Sequence, residues 1–202
     1  MEMLDHIKKR RSIRFYTTKP ISPKNVKKLV EAARWAPNGH RIYSQRILIV
    51  QEEELIGRIK AVSPGLHGNP TTIMIICSDK KREKEVARNY VPIGAEEENF
   101  FKGRSESFFK RRVELLSTMN CAMAAQNICL EATALGIGSC IIYGFDLDGL
   151  RKVLGLPGKL FPQLCVSLGY PNKSADVNFS RSIPQLPFMR SFKDTVIGWI
   201  RK

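Results

Sequence analysis

Arg10, Arg11, Ser12, Ile13 and Arg14 place three guanidinium groups and one hydroxyl within five residues, where a short amphipathic segment gives way to an extended one. Guanidinium forks match phosphate oxygens bidentately and a hydroxyl adds a neutral hydrogen bond, so these residue types suit a phosphate clamp. The plainer alternative is a solvated basic helix end, where cations are favoured by the helix dipole. Composition leaves both open. His6, His40 and His67 are scattered without metal-ligand spacing, so no metal site is expected. The sequence has no Gly-x-Ser-x-Gly elbow, no Gly-x-x-x-x-Gly-Lys loop and no Gly-x-Gly-x-x-Gly fingerprint. Hydrolase, P-loop and stable dinucleotide-binding readings therefore fail at the first step.

The elements that must position the basic segment are legible from periodicity. Met3, Leu4 and Ile7 form a short apolar stripe, which predicts a first helix ending in the basic cluster, and residues 13–16 then read as extended. Ser22-Pro23 is an N-cap followed by proline at the first helical position; Val26, Leu29, Val30 and Ala33 continue at helical spacing until Ala36-Pro37-Asn38-Gly39 breaks the helix. Residues 46–51 and 71–78 are compact β-branched runs that read as interior strands, with a charged helix-like segment over 52–60 between them. Residues 139–142 and 163–168 read as two further strands, joined through a short helix over 147–154. The span 115–135 predicts a long helix, apolar around most of its circumference and so central, with protein on every side. Residues 80–109, with Tyr90, Phe100, Phe101, Phe108 and Phe109, have no clean period and read as a helical excursion or a mobile cover. The tail over 169–190 is irregular, and 194–200 closes the chain as a helix or an added strand. Long helices mixed with four or so strands, in no repeating βαβ order, indicate an α+β fold. The apolar surface exceeds what one small sheet covers, so a second subunit is expected to bury the remainder.

A chain of 202 residues with 43% hydrophobic and 26% charged residues supports one globular domain over 1–202. Its formal net charge of +14 favours anionic ligands of whatever identity. Basic clusters at 8–14, 80–84 and 102–112 keep a nucleic-acid module as a rival from another class, but zinc-finger spacing, an RNP-like aromatic pattern and a Gly- and Arg-rich tail are all missing. Apolar runs such as 73–77 are far too short to cross a membrane, and the first residues lack the apolar core of a secretory signal. Five cysteines sit in apolar segments without Cys-x-x-Cys spacing, which reads as buried free thiols in a reducing compartment, the cytoplasm.

Arg-Arg-Ser-Ile-Arg-Phe-Tyr over 10–16, followed by a Pro-Ile-Ser-x-x-x-Val-x-x-Leu-Val-x-Ala-Ala-x-x-Ala-Pro helix, resembles the opening of the nitroreductase family. In that family an Arg-x-Ser-x-Arg/Lys segment holds flavin mononucleotide (FMN). Arg34-Trp35-Ala36-Pro37-Asn38-Gly39 is similar to its Ala-Pro-Ser segment, Ala134-Leu135-Gly136-Ile137-Gly138-Ser139-Cys140 to its Ala-Leu-Gly-x-Gly-Ser stretch, and Tyr143-Gly144-Phe145-Asp146 to its Gly-Phe-Asp turn. Cys165-Val166-Ser167-Leu168-Gly169-Tyr170-Pro171 resembles the closing strand. Five segments in register cover nearly the whole chain apart from about 80–113.

The resemblance implies a mostly antiparallel sheet of about four to five strands flanked by helices, a long buried central helix and an intertwined homodimer. It places Arg10, Arg11, Ser12 and Arg181 around the FMN phosphate and ribityl chain, with Arg14 there or at the pyrimidine edge as an electrostatic tuner. Asn38 and Gly39 would reach the flavin of the other subunit; Ile142, Tyr143 and Gly144 would pack on the ring or offer it backbone N–H groups, and Asn120 falls near it. The pattern departs at Arg41, Tyr43, Ser44 and Gln45, which stand where the family has an Asn and then Gln-Pro-Trp; Arg41 either supplies a charge in place of an amide or faces solvent. The implied activity is transfer of hydride from NADH or NADPH through FMN to a flat electron-poor acceptor such as a nitroaromatic or quinone, with no side-chain nucleophile. The excursion over 80–113 would line or cover that space, or simply pack on the domain. Relatives of this fold that dehalogenate, oxidise rings or fragment flavin are the rival within the same class.

Overall fold

The strand Thr72–Asp79 is buried along its whole length because the sheet is covered on both faces. The computed structural model describes residues 2–90, 95–172, 187–188 and 198–199. In chain order the elements are α1 (Met3–Lys9), α2 (Pro23–Arg34), a 3₁₀ turn (Gly39–Arg41), β1 (Gln45–Val50), α3 (Glu53–Ala61), β2 (Thr72–Asp79), α4 (Lys80–Arg88), α5 (Ala95–Phe101), α6 (Glu106–Ala134), β3 (Gly138–Ile142), α7 (Leu147–Val153), β4 (Leu160–Gly169), and the short pair β5 (Pro187–Phe188) and β6 (Gly198–Trp199). β1 to β4 form one sheet in the order β1-β2-β4-β3, antiparallel at every step. The architecture is α+β, with four strands in the central sheet.

Alternate strand residues feed two cores. Met74 and Ile76 of β2 and Leu164, Val166 and Leu168 of β4 join Leu29 and Ala33 of α2 and Cys121, Ala125, Ile128 and Ala132 of α6. Ile73, Ile75 and Cys77 with Cys140, Ile142 and Cys165 point the other way, onto Ile56 and Ile59 of α3 and Leu150 of α7. All five cysteines are buried and free. Burial pushes the thiols of Cys77, Cys121 and Cys165 up to about 12, and that of Cys129 upward too, so they pack as small neutral groups.

Local signals start the helices. Ser22 accepts from the Asn25 N–H at 3.3 Å ahead of the proline of α2, and Asp79 Oδ1 accepts from the N–H groups of Lys81 and Arg82 at 3.1 and 3.3 Å. Ser105 caps α6 through the Phe108 N–H at 3.3 Å, so this helix begins at Glu106 rather than at 115, and Phe108 and Phe109 belong to its first turns. The aperiodic stretch over 80–109 thus resolves into α4, α5 and the start of α6, joined by an aromatic cluster in which Tyr90, Phe101 and Phe109 rings lie 5.0–5.6 Å apart.

Three expectations are corrected. The strand over 46–51 is not interior: β1 stands at the edge of the sheet beside β2, and none of its residues before Val50 is fully buried. The long helix is not enclosed by its own chain: Leu115 and Met119 of α6 are 62% and 51% exposed. Met3, Leu4 and Ile7 of α1, and Trp35 beyond α2, are exposed as well, so the apolar stripe of α1 buries nothing within the chain. Of the span 194–200, Gly198–Trp199 is a strand, paired with Pro187–Phe188. Arg181 lies outside the described residues.

Candidate functional site

The basic segment is docked on the sheet. Leaving α1, Ser12 bridges to Ser139 of β3, and the Ile13 N–H donates to the Ser139 carbonyl at 2.9 Å. Four residues after Ser12, Tyr16 is buried, its hydroxyl donating to the Ile13 carbonyl at 2.5 Å and bonded to Ser167 Oγ at 2.9 Å. Burial raises the Tyr16 phenol well above its ordinary pKa, which keeps it a neutral donor and fixes the segment on β4. The guanidinium groups meet only nearby carbonyls. Arg11 Nη1 donates to Lys8 O at 2.5 Å and Arg10 O at 2.8 Å, and Arg14 Nη1 to Ser12 O at 3.4 Å. Among the described residues none of Arg10, Arg11 and Arg14 has a carboxylate partner. Three cations within five residues, without a counter-charge among the described residues, fit a dianionic group.

A loop over 63–69 completes this first cluster. The Gly65 N–H donates to the Gly144 carbonyl at 2.8 Å, and a Cβ on Gly65 would stand 3.0 Å from that oxygen. Gly68 adopts φ +70°, and a Cβ there would fall 1.8 Å from the carbonyl oxygen of Arg14. Only glycine lets this loop rest on Arg14 and Gly144 together. The loop was missed in the sequence, although Pro64-Gly65 and Gly68-Asn69-Pro70 are turn signals. Tyr143 is 64% exposed beside Gly144, whereas Ile142 is buried in the second core, so what Ile142 presents is backbone.

A second cluster stands at the other edge of the sheet. The Gly39 N–H donates to Asn120 Oδ1 at 2.9 Å, Asn120 Nδ2 to Asn38 Oδ1 at 3.3 Å, the Tyr43 N–H to Asn38 Oδ1 at 3.1 Å, and Asn38 Nδ2 to Gln45 Oε1 at 2.9 Å. Asn120, fully buried on α6, is the post on which this turn is built. The turn is strained: His40, Arg41 and Tyr43 have φ of 53°, 52° and 48°, and left-handed backbone costs a residue with a Cβ of the order of 1–2 kcal/mol. The strain falls within the segment that departs from the resemblance. Ser44 is buried against Ser117 by a short hydroxyl contact, and Arg41 is exposed. The Tyr90 hydroxyl lies 2.9 Å from His40 Nδ1 and donates to Glu97 at 3.0 Å, so the aromatic excursion packs over the turn. Burial is the main cause of the raised Tyr90 phenol pKa, with the Arg112 hydrogen bond opposing it.

The structure thus brings Asn38, Gly39, Arg41 and Asn120 together, and brings Arg10, Arg11, Ser12 and Arg14 together near Ile142, Tyr143 and Gly144, but keeps the two groups apart. Ile142 is level with Cys165, Ile75 and Leu48 across the sheet, and Gln45 lies three residues farther along β1. Three strand spacings and three residue rises amount to roughly 17 Å, and Ser12 lies outside β3, farther still. No single flavin ring touches both clusters within one chain. Among the described residues, no group of three His, Cys, Asp or Glu side chains could hold a metal ion, and no helix is long and apolar enough to cross a membrane.

Comparison with known proteins bears on the family and the fold. The family model described as the Nitroreductase family matches residues 7–170. An Archaeoglobus fulgidus protein named as an NADH dehydrogenase/NAD(P)H nitroreductase is 27% identical over 181 residues, covering 87% of this chain and 88% of the relative. A Staphylococcus aureus protein named NADPH-dependent oxidoreductase is 28% identical over 193 residues, 92% of this chain and 70% of its own length. The crystal structure of a nitroreductase family protein from Streptococcus pneumoniae superposes with a TM-score of 0.70 at 24% identity, covering 91% of this chain and 96% of that one, a likeness of fold. The chain belongs to the nitroreductase family, and its general role is that of an oxidoreductase.

Proposed function

We propose that this chain is an FMN-dependent NAD(P)H oxidoreductase that acts as a homodimer in the cytoplasm on flat, electron-poor acceptors such as nitroaromatics or quinones. The observation that carries the reading is the docked basic segment: its backbone is fixed on β3 at Ser12 and Ile13, near the Gly65–Gly144 contact, and its three guanidinium groups have no carboxylate partner among the described residues. Bound FMN would supply the redox chemistry, taking hydride from the nicotinamide and passing electrons to the acceptor. Arg10, Arg11 and Ser12 hold the phosphate, together with Arg181. Arg14 stands at the pyrimidine edge, where a fixed positive charge stabilises the negative charge gained on reduction. The backbone of Ile142, Tyr143 and Gly144 orients the ring. No side chain is assigned a covalent step.

The second cluster acts on the other subunit. Asn38, Gly39 and Asn120 lie at the opposite sheet edge from the phosphate clamp, and the exposed Leu115, Met119, Met3 and Leu4 give a second copy an apolar surface to cover. Arg41 then extends toward the partner's ring as a charged replacement for an amide. The left-handed His40, Arg41 and Tyr43 favour a narrowed acceptor range within this same chemistry, since strain of this kind collects at functional turns.

The test is direct. Purified protein is expected to absorb in the flavin bands, to release one FMN per chain on denaturation, to oxidise NADH or NADPH only with an acceptor present, and to size as a dimer by light scattering. A colourless protein that takes up no FMN overturns the cofactor assignment. A monomer that retains flavin removes the cross-subunit role of Asn38, Gly39 and Asn120.

A further inference from the structure

A groove of about 740 Å³ lies between α4, α6 and the turn before β4, outside both clusters described above. Lys80, Lys81, Lys84 and Arg88 of α4, Lys110 of α6 and Lys159 line it together with two carboxylates, Glu85 and Glu114, and the Lys159 carbonyl accepts from the Lys80 N–H at 2.8 Å. Lys110 stands about 15 Å along α6 from Asn120, so the groove is not part of the turn that Asn120 supports.

Among the described residues, four of the six cations have no carboxylate within ion-pair distance. Lys80 is occupied by Glu83 at 2.8 Å and Glu114 at 3.6 Å, and Glu85 is turned to Arg82 at 3.6 Å. Arg88 meets only the exposed Glu106, at 3.7 Å. Lys81, Lys84, Lys110 and Lys159 have no carboxylate within ion-pair distance among the described residues. Lys80, Lys84 and Arg88 follow one another at i,i+4, a spacing at which like charges oppose helix formation. Lys80 serves the fold through the buried Glu83, but Lys81, Lys84, Lys110 and Lys159 are gathered at the same groove without such a partner among the described residues.

We infer that this groove binds a compact oligophosphate, an organic or inorganic group of at least two linked phosphates. Its volume falls in the range of small-ligand sites, and lysine ammonium groups act as point charges that suit phosphate oxygens without fixed geometry. A single strand of nucleic acid fits less well, because such sites offer bare aromatic faces for stacking. The one ring here, Phe161, has Arg151 over it at 4.4 Å and Lys80 at 5.7 Å.

The experiment is isothermal titration of FMN-saturated protein with tripolyphosphate and, separately, with ATP. One saturable site per chain is expected, and Lys81→Glu with Lys84→Glu should weaken it at least tenfold. Lys24→Glu with Lys28→Glu, on exposed positions of α2, changes the net charge equally and should leave affinity within about twofold. Arg11→Ala with Arg14→Ala removes the phosphate clamp of the proposed flavin site and should also leave it unchanged, so failure of the flavin reading and failure of this one are separable. Tighter binding of ATP than of tripolyphosphate would identify a nucleotide ligand, and equal binding a bare oligophosphate; both support the site. Absence of saturation, equal weakening by the two lysine pairs, or groove-dependent binding of an oligonucleotide without binding of tripolyphosphate each overturns it.

Discussion

Replacing Gly68 with alanine tests whether the loop over 63–69 sets the position of the basic segment. Gly68 has φ +70°, and left-handed backbone costs a residue with a Cβ about 1–2 kcal/mol. Its Cβ would also stand 1.8 Å from the Arg14 carbonyl oxygen, so loop and segment must separate by about 1.6 Å to reach ordinary contact. Forced displacement of packed backbone adds roughly 1–3 kcal/mol. Gly103 is the internal control, with φ +77° and nothing within 4 Å of an added Cβ. Gly103→Ala should therefore cost about 1–2 kcal/mol, and Gly68→Ala about 2–5 kcal/mol. For a chain of this length each kcal/mol is worth about 2–4 °C in Tm, so the two variants separate in a thermal melt. Flavin titration should separate them further, Gly68→Ala losing at least tenfold in FMN affinity while Gly103→Ala keeps that of the parent. Equal melts and equal FMN affinities for the two variants would refute the claim that Gly68 positions Arg14.

Arg11→Ala with Arg14→Ala should weaken FMN retention by a factor corresponding to about 2–5 kcal/mol, read by equilibrium dialysis; unchanged retention would count against the clamp. Asn120→Leu leaves the Gly39 N–H without its partner and removes one of the two donors to Asn38 Oδ1, the Tyr43 N–H remaining, and should destabilise the fold by about 1–3 kcal/mol in urea unfolding, with Asn120→Asp recovering the Gly39 bond but not the Asn38 one. Cys77, Cys121 and Cys165 bear on alkaline stability, since burial moves their thiols from 9.0 to about 12. Below pH 9 both states keep these protons and stability is unaffected by them. Between pH 9 and 12 the unfolded chain releases them while the folded one does not, so stability falls as pH rises, by about 1.4 kcal/mol per unit for each thiol. Urea midpoints that stay flat to about pH 11 would contradict this.

The layers and strands were legible because they follow period and length. Ile47 to Val50 and Ile73 to Cys77 have the length and β-branched content of strands, and Ser22-Pro23 announces α2, but apolar content alone did not separate the edge strand β1 from the interior strand β2. The residues of the basic segment were legible as a chemical group, but what fixes them was not: the Ser12–Ser139 bridge and the Gly68–Arg14 contact join positions far apart in the chain, and local pattern has no access to such pairs. The 80–109 stretch was opaque for a different reason. Tyr90, Phe101 and Phe109 pack against one another rather than into either main core, so their spacing answers to a small private cluster. Asn120 was singled out, yet its role as the buried post under Gly39 depends on a contact 81 residues apart.

Helix α6 links these features. Its inner face carries Asn120 beneath the strained turn and Cys121 and Ala124 in the first core, while Leu115 and Met119, one turn apart, stay open to solvent. Leu116 reaches under the same turn, its Cδ2 3.4 Å from where a Cβ on Gly39 would be. One rigid element therefore sets the half-site at the β1 edge and presents the apolar strip beside it. In the dimer proposed above, a second copy that covers the strip would approach the turn of Asn38 and Gly39, and by two-fold symmetry each chain would offer its partner the half-site that its own clamp lacks. On this reading the α6 residues that the chain leaves exposed and the polar network it buries serve one purpose, since docking two copies through the strip is what would bring an opposite-edge clamp and turn around a single ring.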